Sequence, residues 1–369
     1  MRRSIMGVLG AVVVLLVNPL PAPAHAAPVP VTEVLARAVH DQGIPGAVAV
    51  VRAGSDVVRH VAGYSDVATR AGFTPDSHVR AASITKTFVA AAVLQLVGEG
   101  RVDLDASVES LLPGRIRAPG VDADAITVRH LLRHQSGLPE YFDAATPTPS
   151  EPLTADQILG LALDKPSEFT PGTQMRYTNT NYTIAGLIIE AVTGQPAADE
   201  IAQRIMVPLG LDGTYFPALG DTGLRVPFAH GYELVDGRQT DVTTFHGSAA
   251  GLSGSLISTG EDMAAFISAL LDGRVVGPAQ LEQMKDTIAW PDRGPRYSYG
   301  LGLVGLTLPC GVTVWGHGGD IEGYHSLMVK QPGGAAVSVT FTQGSAREND
   351  PREALAEAVF CSAPDQFSA

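Results

Sequence analysis

Strand-like segments lie near both ends of this chain, and the long stretch between them has the spacing of helices. The runs at 46–53 and 57–63 are rich in β-branched residues and are separated by Gly54-Ser55-Asp56, which is a hairpin signal. Between 299 and 342, four further runs alternate or stay apolar between glycine turns, as sequential antiparallel strands do. We therefore expect the two ends of the chain to form one sheet domain, with a mainly helical segment inserted between them in the sequence.

The expected fold class is therefore α/β (α+β), with an antiparallel sheet flanked by helices and an inserted, mainly helical domain. We place the sheet domain at 27–98 and 246–369 and the all-α insertion at 99–245, where short helices alternate with Pro- and Gly-rich loops. The part from 27 to 369, which remains after the signal peptide predicted below, is too long for one ordinary core. Further elements are expected as a strand at 251–258 and helices at 31–40, 261–271 and 352–361.

The first 26 residues have the three parts of a secretory signal peptide. Arg2 and Arg3 form a basic start, residues 7–17 form an apolar core too short for a membrane span, and Ala24-His25-Ala26 supplies the cleavage signal. We therefore expect a secreted, extracellular protein without a stable membrane anchor.

Charge and cysteine content narrow the possible partners and the compartment. The chain has 25 basic and 38 acidic side chains and a net charge of −13, which argues against nucleic acid as a partner. Its two cysteines, Cys310 and Cys361, fit one disulfide in an exported protein. Neither has the Cys–His surroundings of a catalytic thiol.

Ser83-Ile84-Thr85-Lys86 opens a helical pattern of apolar residues that stops at Gly98. The spacing predicts a mostly buried helix with Lys86 one turn after Ser83 on the same face. A serine hydroxyl becomes a nucleophile when a neighbouring group takes its proton. Lys86 would be either a stabilising cation or, when deprotonated, a base. The alternative is that Ser83 merely caps the helix.

Tyr177-Thr178-Asn179 lies in the helical part, two residues apart in a short extended or loop segment. The side chains of Tyr177 and Asn179 should therefore point the same way. A phenol beside an ammonium can ionise below its usual pKa of about 10, so Tyr177 is a candidate base for Ser83. The Asn179 amide can hold a substrate carbonyl and orient a lysine. The alternative is a turn in which an asparagine caps the next helix.

His317-Gly318-Gly319-Asp320 lies on a strand-like run of the C-terminal part. Glycines beside a histidine on a strand let a substrate backbone approach closely. A His-x-Gly pattern alone is weak, so His317 and Gly319 become candidate substrate-binding residues only together with the other two motifs.

Other kinds of site are disfavoured. His130 and His134 lie one helical turn apart, but Leu131 stands where a zinc protease has glutamate, and we expect structural histidines. The sequence has neither a Gly-x-Ser-x-Gly elbow nor a phosphate-binding glycine loop. We expect neither a metal nor a cofactor.

The three motifs stand in the order used by serine penicillin-recognising hydrolases, and the chain resembles the exported D-Ala-D-Ala carboxypeptidases and class C β-lactamase-like proteins. The similarity includes 95–105 and 126–138 and extends from about 31 to 361. It implies a β-lactamase/transpeptidase-like fold, in which a cleft between an antiparallel-sheet domain and an α domain holds the site.

The resemblance also implies roles for the motif residues. Ser83 would be acylated while Lys86 and Tyr177 handle its proton, and Asn179 would bind the amide of the acyl side chain. The backbone N–H groups of Ser83 and Asp320 would form the oxyanion hole, and His317 would line the strand edge.

The chain departs from the carboxypeptidase pattern beside His317. Gly318 stands where the family usually has threonine, and Asp320 stands where the carboxypeptidases have a hydroxyl residue. An arginine of the preceding strand is also missing. These changes weaken a pocket for a free carboxylate, and if Asp320 faces the cleft they favour a neutral ester or an amino group. Asp320 could instead point to solvent and contribute only its N–H group.

The function that follows is an exported serine hydrolase that forms an acyl-enzyme on Ser83. The first hypothesis is D-Ala-D-Ala carboxypeptidase-like hydrolysis of cell-wall peptides, with penicillin binding. The alternatives are an esterase or a D-amino-acid amidase or aminopeptidase of the same fold, and a class C-type β-lactamase. Outside the hydrolases, the alternative is a non-catalytic penicillin-recognising binder. The expected partner is a small-molecule or peptide substrate: a D-amino-acid peptide, a β-lactam or an ester.

Overall fold

A computed structural model describes residues 29–142, 151–345 and 350–361, so the predicted signal peptide lies outside the described residues. The strands within these ranges are β1 (Gly46–Ala53), β2 (Asp56–Gly63), β3 (Val79–Arg80), β4 (Tyr232–Val235), β5 (Arg238–Asp241), β6 (Ile257–Ser258), β7 (Ile288–Ala289), β8 (Tyr297–Tyr299), β9 (Val304–Thr307), β10 (Thr313–Ile321), β11 (Tyr324–Lys330) and β12 (Ala336–Phe341).

The helices of the same ranges are α1 (Val31–Gln42), α2 (Thr85–Gly98), α3 (Val108–Leu111), α4 (Val128–Leu132), α5 (Ala155–Leu163), α6 (Thr180–Thr193), α7 (Ala197–Ile201), α8 (Val207–Leu209), α9 (Gly251–Gly254), α10 (Gly260–Leu271), α11 (Pro278–Lys285) and α12 (Pro351–Phe360). Across the part of the chain that the structure describes, no helix combines the length and the apolar character that crossing a bilayer requires.

One antiparallel sheet dominates the described residues, with the strand order β2-β1-β12-β11-β10-β9-β8-β7. β1 pairs with β12, where Ala47 lies opposite Phe341, so segments from both ends of the chain share the sheet as predicted. β10 pairs with β9 only along residues 313–316, whereas it pairs with β11 along 315–321. The end of β10 that carries the His-Gly-Gly-Asp sequence is therefore open on its β9 side.

Helices cover both faces of the sheet. On one face, α1 and α12 pack against it through an apolar core that includes Leu35, Val339 and Leu355. On the other face, α10 joins α2 and α6 in a larger core, in which the rings of Phe88 and Phe266 stack with centroids 3.6 Å apart. α2 is therefore an interior helix, as its apolar sequence predicted.

A disulfide joins Cys310, just before β10, to Cys361 at the end of α12, with the Cα atoms 5.7 Å apart. The predicted pairing is confirmed. Helix α12 packs on the same face of the sheet as α1. The disulfide bond therefore ties the end of this helix to the loop that precedes β10.

Two expectations about elements are wrong. The segment 99–245 is not all-helical, because β4 and β5 form a hairpin around Asp236 and Gly237. Both turn residues have positive φ, at 51° and 74°, and Asp-Gly is a strong signal for such a turn. The segment 251–258 is not one strand, because α9 occupies its first half and only β6 is extended. Packing of α9 against α2 and α6 overrides the local β propensity.

Candidate active site

Ser83 lies in a single 3₁₀ turn, Ala82–Ile84, that leads into α2. Thr85 Oγ1 donates a hydrogen bond to Ala82 O at 2.6 Å, and this contact closes the turn. Ala82 itself has φ of 49°, in the left-handed region that costs a residue with a Cβ roughly 1–2 kcal/mol. Helix α2 starts two residues after Ser83, and the surrounding structure holds the serine in this sharp turn at the rim of the buried helix.

Lys86 is completely buried beneath the serine. Its Nζ donates to Ser83 Oγ at 3.1 Å, to Asn179 Oδ1 at 2.7 Å and to Ser253 O at 2.8 Å. The last two oxygens can only accept, so a neutral amine would keep its two N–H groups on them and point its lone pair at the serine hydroxyl. The contacts therefore suit Lys86 as the proton acceptor.

Burial of Lys86 also favours the neutral amine, and its charged and aromatic neighbours oppose this effect only in part. Burial lowers the pKa of Lys86 to about 7, although the charge of Glu140 opposes the shift. The rings of Tyr177 and Tyr182 face the nitrogen with centroids 4.7 and 5.7 Å away and also favour the ammonium. Near neutral pH, a substantial fraction of the protein therefore carries a neutral amine beside Ser83.

Tyr177 is packed between two rings, with its centroid 5.3 Å from that of Trp290 and 4.3 Å from that of His134. Its phenol interacts with the Ser83 side chain. Burial raises the pKa of the phenol well above its usual range, so the expectation of a lowered pKa is wrong. The cost of burying a phenolate outweighs the Ser83 hydrogen bond and the charge of Arg293, which both favour the ionised form. Tyr177 stays a predicted catalytic residue, in its protonated form.

Asn179 joins the lysine to the rest of the site. Its side chain accepts from Lys86 and forms no cap on α6, although the residue occupies the N-cap position. The neighbouring Asn181 does not cap the helix with its side chain either, because its amide bonds to Ser136 and His134. The alternative interpretation of the Tyr-x-Asn segment as a simple helix cap is therefore excluded for Asn179.

His130 and His134 are structural, as predicted. The His130 ring accepts from Thr127 N at 3.3 Å in the capping box of α4. His134 is fully buried, accepts from Thr178 N at 3.2 Å and packs against the Tyr177 ring. Burial lowers the pKa of His134 well below its ordinary value, so a neutral imidazole supports Tyr177.

His317 lies on β10 and is 3% exposed. Its Nδ1 donates to Gly318 O at 2.5 Å, and its Nε2 accepts from the Tyr299 hydroxyl at 2.9 Å. Burial lowers the pKa of His317 to about 3. The residue lines the cleft at the strand edge, as the resemblance implied, and is an uncharged side chain with both ring nitrogens engaged.

The two glycines after His317 face opposite ways. A Cβ on Gly319 would lie 2.2 Å from Ala81 O and 3.1 Å from the Ala82 Cβ, so glycine is required where β10 crosses the turn before Ser83. A Cβ on Gly318 would meet no atom closer than Ser326 O at 3.6 Å. Gly319 stays a predicted substrate-binding residue, and the structure explains the need for glycine there by this close packing. Gly318 lines the cleft.

Asp320 faces the cleft, and its side chain is 42% exposed. Its Oδ1 accepts from Arg352 Nη1 at 2.7 Å and bonds to His325 Nδ1 at 2.8 Å, whereas Oδ2 has Arg293 Nη2 at 3.9 Å. Burial opposes ionisation, but the His325 hydrogen bond and the two arginines outweigh it and hold the pKa of Asp320 well below its usual range. The carboxylate is therefore charged, and Oδ2 lacks a close donor among these contacts.

Two cavities meet at Ser83, which lines both together with Phe142, Asn179 and Asp320. The aromatic cavity measures about 340 Å³ and is lined by the rings of Tyr177, Trp290 and Tyr297 and by residues 316–318 of β10. The acidic cavity measures about 330 Å³, and its carboxylates are those of Glu233, Asp320 and Glu322. Their placement on either side of the nucleophile suits the two halves of a substrate that is cut at Ser83.

Several residues of the site escaped sequence reasoning. Trp290 and Tyr299 lie on or beside the short strands β7 and β8 and gave no motif. Ser253 contributes only its backbone oxygen, which no side-chain pattern reports. Arg352 was predicted to lie in the helix at 352–361, but no sequence pattern indicated that its side chain reaches Asp320. These contacts depend on the tertiary fold.

Comparisons with known proteins agree with this geometry. The family model described as Beta-lactamase matches residues 31–360. Penicillin-binding protein 4 of Amycolatopsis lactamdurans is 28% identical over 314 residues, which cover 82% of this chain and 81% of that protein. The D-aminopeptidase of Brucella anthropi is 32% identical over 298 residues, which cover 77% of this chain but 53% of the aminopeptidase. The chain thus spans about half the length of the latter.

A solved structure extends the comparison to the fold. The D-stereospecific amidohydrolase from Streptomyces sp. superposes with a TM-score of 0.82 at 36% sequence identity, over 90% of this chain and 98% of its own. The predicted fold class and family resemblance are confirmed. Because the family match covers both halves of the sheet and the cleft that contains Ser83, Lys86 and Tyr177, this chain belongs to the β-lactamase family of serine hydrolases.

Proposed function

We propose that this protein hydrolyses amide bonds whose acyl part is a D-amino acid with a free α-amino group. The acidic cavity carries the proposal, because it adjoins Ser83 and its described lining has three carboxylates, those of Glu233, Asp320 and Glu322. The described side chain of this lining whose pKa is shifted toward a positive charge is that of His325, so acidic groups outnumber it. A substrate ammonium would be attracted to this cavity, whereas a free carboxylate would be repelled.

Asp320 is the carboxylate best placed to bind that ammonium. It lines the cavities on both sides of Ser83, so it lies close to the carbon that would be attacked. Its Oδ1 is engaged by Arg352 and His325, which leaves Oδ2 facing Arg293 at a distance too long for a hydrogen bond. An ammonium group could therefore bind Oδ2 without breaking the hydrogen bonds that Oδ1 forms with Arg352 and His325.

The relatives support the same substrate class. The names of the Brucella and Streptomyces proteins state an aminopeptidase and an amidohydrolase that act on D-configured substrates. They favour the amidase or aminopeptidase alternative over our first hypothesis of a carboxypeptidase. Penicillin-binding protein 4, at 28% identity, keeps penicillin recognition as the second candidate.

The proposed reaction uses the contacts around Lys86. Ser83 Oγ attacks the substrate carbonyl carbon while its proton moves to the neutral Lys86 amine. Collapse of the tetrahedral intermediate breaks the C–N bond, and the leaving amine takes a proton from Lys86 through the Tyr177 hydroxyl. Water then attacks the carbonyl carbon of the ester and passes one proton to the neutral Lys86 amine. The bond between this carbon and Ser83 Oγ breaks, Lys86 returns the proton to Oγ, and the D-amino acid is released. The backbone N–H groups of Ser83 and Asp320 are the predicted oxyanion hole, in which each donor is worth about 3 kcal/mol.

We also propose that the protein works outside the cytoplasm. The predicted signal peptide supports this location, and so does the disulfide between Cys310 and Cys361. D-Amino-acid amides and peptides available there would be its substrates.

The test compares D-phenylalanine amide with its L enantiomer and with N-acetyl-D-phenylalanine amide, using Ser83→Ala as the blank. We expect kcat/KM for the free D-amide to exceed the other two by about tenfold or more, the factor that 1.4 kcal/mol of differential binding gives. Asp320→Asn should lower kcat/KM for the free D-amide more than for the acetylated amide, so the ratio of the two values should fall. Equal cleavage of the acetylated amide would contradict the proposal. Consumption of benzylpenicillin without any amide cleavage would favour the second candidate.

A further inference from the structure

Glu140 lies in the loop between α4 and α5, outside the three motifs. Its Oε2 accepts from Asn179 N at 2.7 Å and its Oε1 accepts from Phe142 N at 2.8 Å. Among the described residues, no arginine, lysine or histidine forms an ion pair with this carboxylate. Burial raises the pKa of the Glu140 carboxyl above its ordinary value, although the backbone hydrogen bonds and the charge of Lys86 oppose this shift. A largely buried carboxylate is costly to keep charged, so its presence beside the site calls for a function.

The carboxylate reaches the catalytic lysine through one residue. Asn179 bonds to Glu140 through its backbone nitrogen and to Lys86 through its side-chain oxygen, at 2.7 Å in both cases. A shift of the backbone at Asn179 would therefore move the oxygen that fixes Lys86.

The loop that carries Glu140 is itself anchored to the same segment. Pro139 O accepts from Thr180 Oγ1 at 2.6 Å and from Thr178 Oγ1 at 3.3 Å. Lys165 Nζ donates to the backbone oxygen of Glu140 at 2.7 Å and holds the loop from the other side. The carboxylate thus has a fixed position relative to the Tyr-x-Asn segment.

The other titratable groups around Lys86 are neutral, so Glu140 is the candidate for its counter-charge. Burial and, to a smaller extent, the charge of Lys86 lower the pKa values of His134 and His317, so both side chains are neutral. The Tyr177 and Tyr182 phenols are also neutral, because burial raises their pKa values. Glu140 is the group whose charge opposes the effect of burial on Lys86.

We propose that Glu140 is a positioning residue, which fixes the backbone at Asn179 and is the counter-charge of the Lys86 ammonium. The proposal rests on the predicted base role of Lys86 and does not depend on which substrate is cleaved. Removal of the charge makes the ammonium less stable, so Lys86 should lose its proton at lower pH.

The experiment measures the rate at which a neutral fluorophosphonate labels Ser83 between pH 5 and 9, followed by intact-protein mass spectrometry. The full chain is used as wild type, Glu140→Gln, Glu140→Asp and Glu282→Gln, the last replacing an exposed carboxylate of α11. We expect the midpoint of the acid limb to fall by about 0.5 pH units or more in Glu140→Gln, a shift that corresponds to about 0.7 kcal/mol. Its plateau rate should also fall. Glu282→Gln should match wild type.

Glu140→Asp separates charge from geometry. It keeps the carboxylate but shortens it, so the midpoint should stay at the wild-type value while the plateau falls. If Glu140→Gln does not fold, a shifted midpoint in Glu140→Asp would still contradict the proposal. A uniform loss of rate in Glu140→Gln with an unchanged midpoint would show a merely structural role.

A third outcome would assign Glu140 to the substrate instead. If Glu140→Gln raised KM for D-phenylalanine amide without changing the labelling profile, the carboxylate would bind the substrate ammonium, and the positioning role would be refuted. Because fluorophosphonate labelling requires no amino acid substrate, the result stays readable even if the protein cleaves no D-amide.

Discussion

Lys86 Nζ lies 2.7 Å from Asn179 Oδ1 and 3.1 Å from Ser83 Oγ, so the hydrogen bond of the lysine to the asparagine is shorter than its hydrogen bond to the nucleophile. The second tight contact, to Ser253 O, comes from a different segment of the chain. Two fixed acceptors therefore orient the amine independently of the nucleophile. The nitrogen can exchange a proton with Ser83 without changing its own position.

Replacement of Ser83 by alanine should abolish covalent labelling and turnover while leaving the melting temperature nearly unchanged. The hydroxyl contributes one contact to Lys86, which keeps its two other acceptors. Mass spectrometry after exposure to fluorophosphonate, together with calorimetry, tests both parts. Turnover retained by the variant would remove Ser83 as the nucleophile.

The rate of acylation should rise with pH through about 7. The active form is the neutral Lys86 amine, so activity is low while the ammonium persists below its pKa of about 7 and increases as the proton is lost. Measurement of kcat/KM from pH 5 to 9 gives the midpoint, and Lys86→Met should reduce the plateau by about 10² or more. A profile that is flat from pH 5.5 to 8.5 would argue that Lys86 acts only as a fixed cation.

Tyr177→Phe should slow acylation by about 10² without moving the acid limb of the pH profile. The phenol stays protonated across this range because burial raises its pKa, so its loss removes a proton carrier and not a titrating base. Stopped-flow measurement of acylation at several pH values checks both statements. A loss of less than about threefold would leave the base role to Lys86 alone.

Gly319→Ala should damage the site much more than Gly318→Ala. The added methyl would overlap Ala81 O in the first variant and meet no atom within 3.5 Å in the second. We expect Gly319→Ala to lower the free energy of unfolding by about 1–3 kcal/mol, the usual cost of overpacking, and to lower kcat because the Ser83 turn shifts. Urea unfolding and steady-state kinetics of both variants provide the comparison. Equal effects would mean that β10 and the turn can separate freely.

Sequence patterns identified the main parts of this protein because they are local or strongly periodic. The buried helix after Ser83, the run of antiparallel strands and the disulfide partners were all recognisable, and the structure confirms them. The three motifs also converge on one cleft. Asp320 was left with two orientations, and the structure shows that it faces this cleft.

The remaining features depend on packing between distant segments. The pKa of Tyr177 was expected to fall because only its charged neighbour was considered, whereas the rings of Trp290 and His134 that bury it are far away in sequence. Residues 251–258 have the composition of a strand but become helical where they pack against α2 and α6. Glu140 belongs to no motif, and only the folded chain brings it to Asn179.

The pairing of β1 with β12 has a consequence for how the molecule forms. Thr342 bonds to Gly46 across a separation of 296 residues. The pairing of β1 with β12 therefore cannot form until almost the whole described chain has been synthesised. Before that moment the β1–β2 hairpin presents an unpaired edge, a template on which other chains can aggregate. Contacts of such long range also favour slow folding. Production of this protein will therefore depend on protecting the exposed edge of β1 from aggregation until β12 has been synthesised and can pair with it.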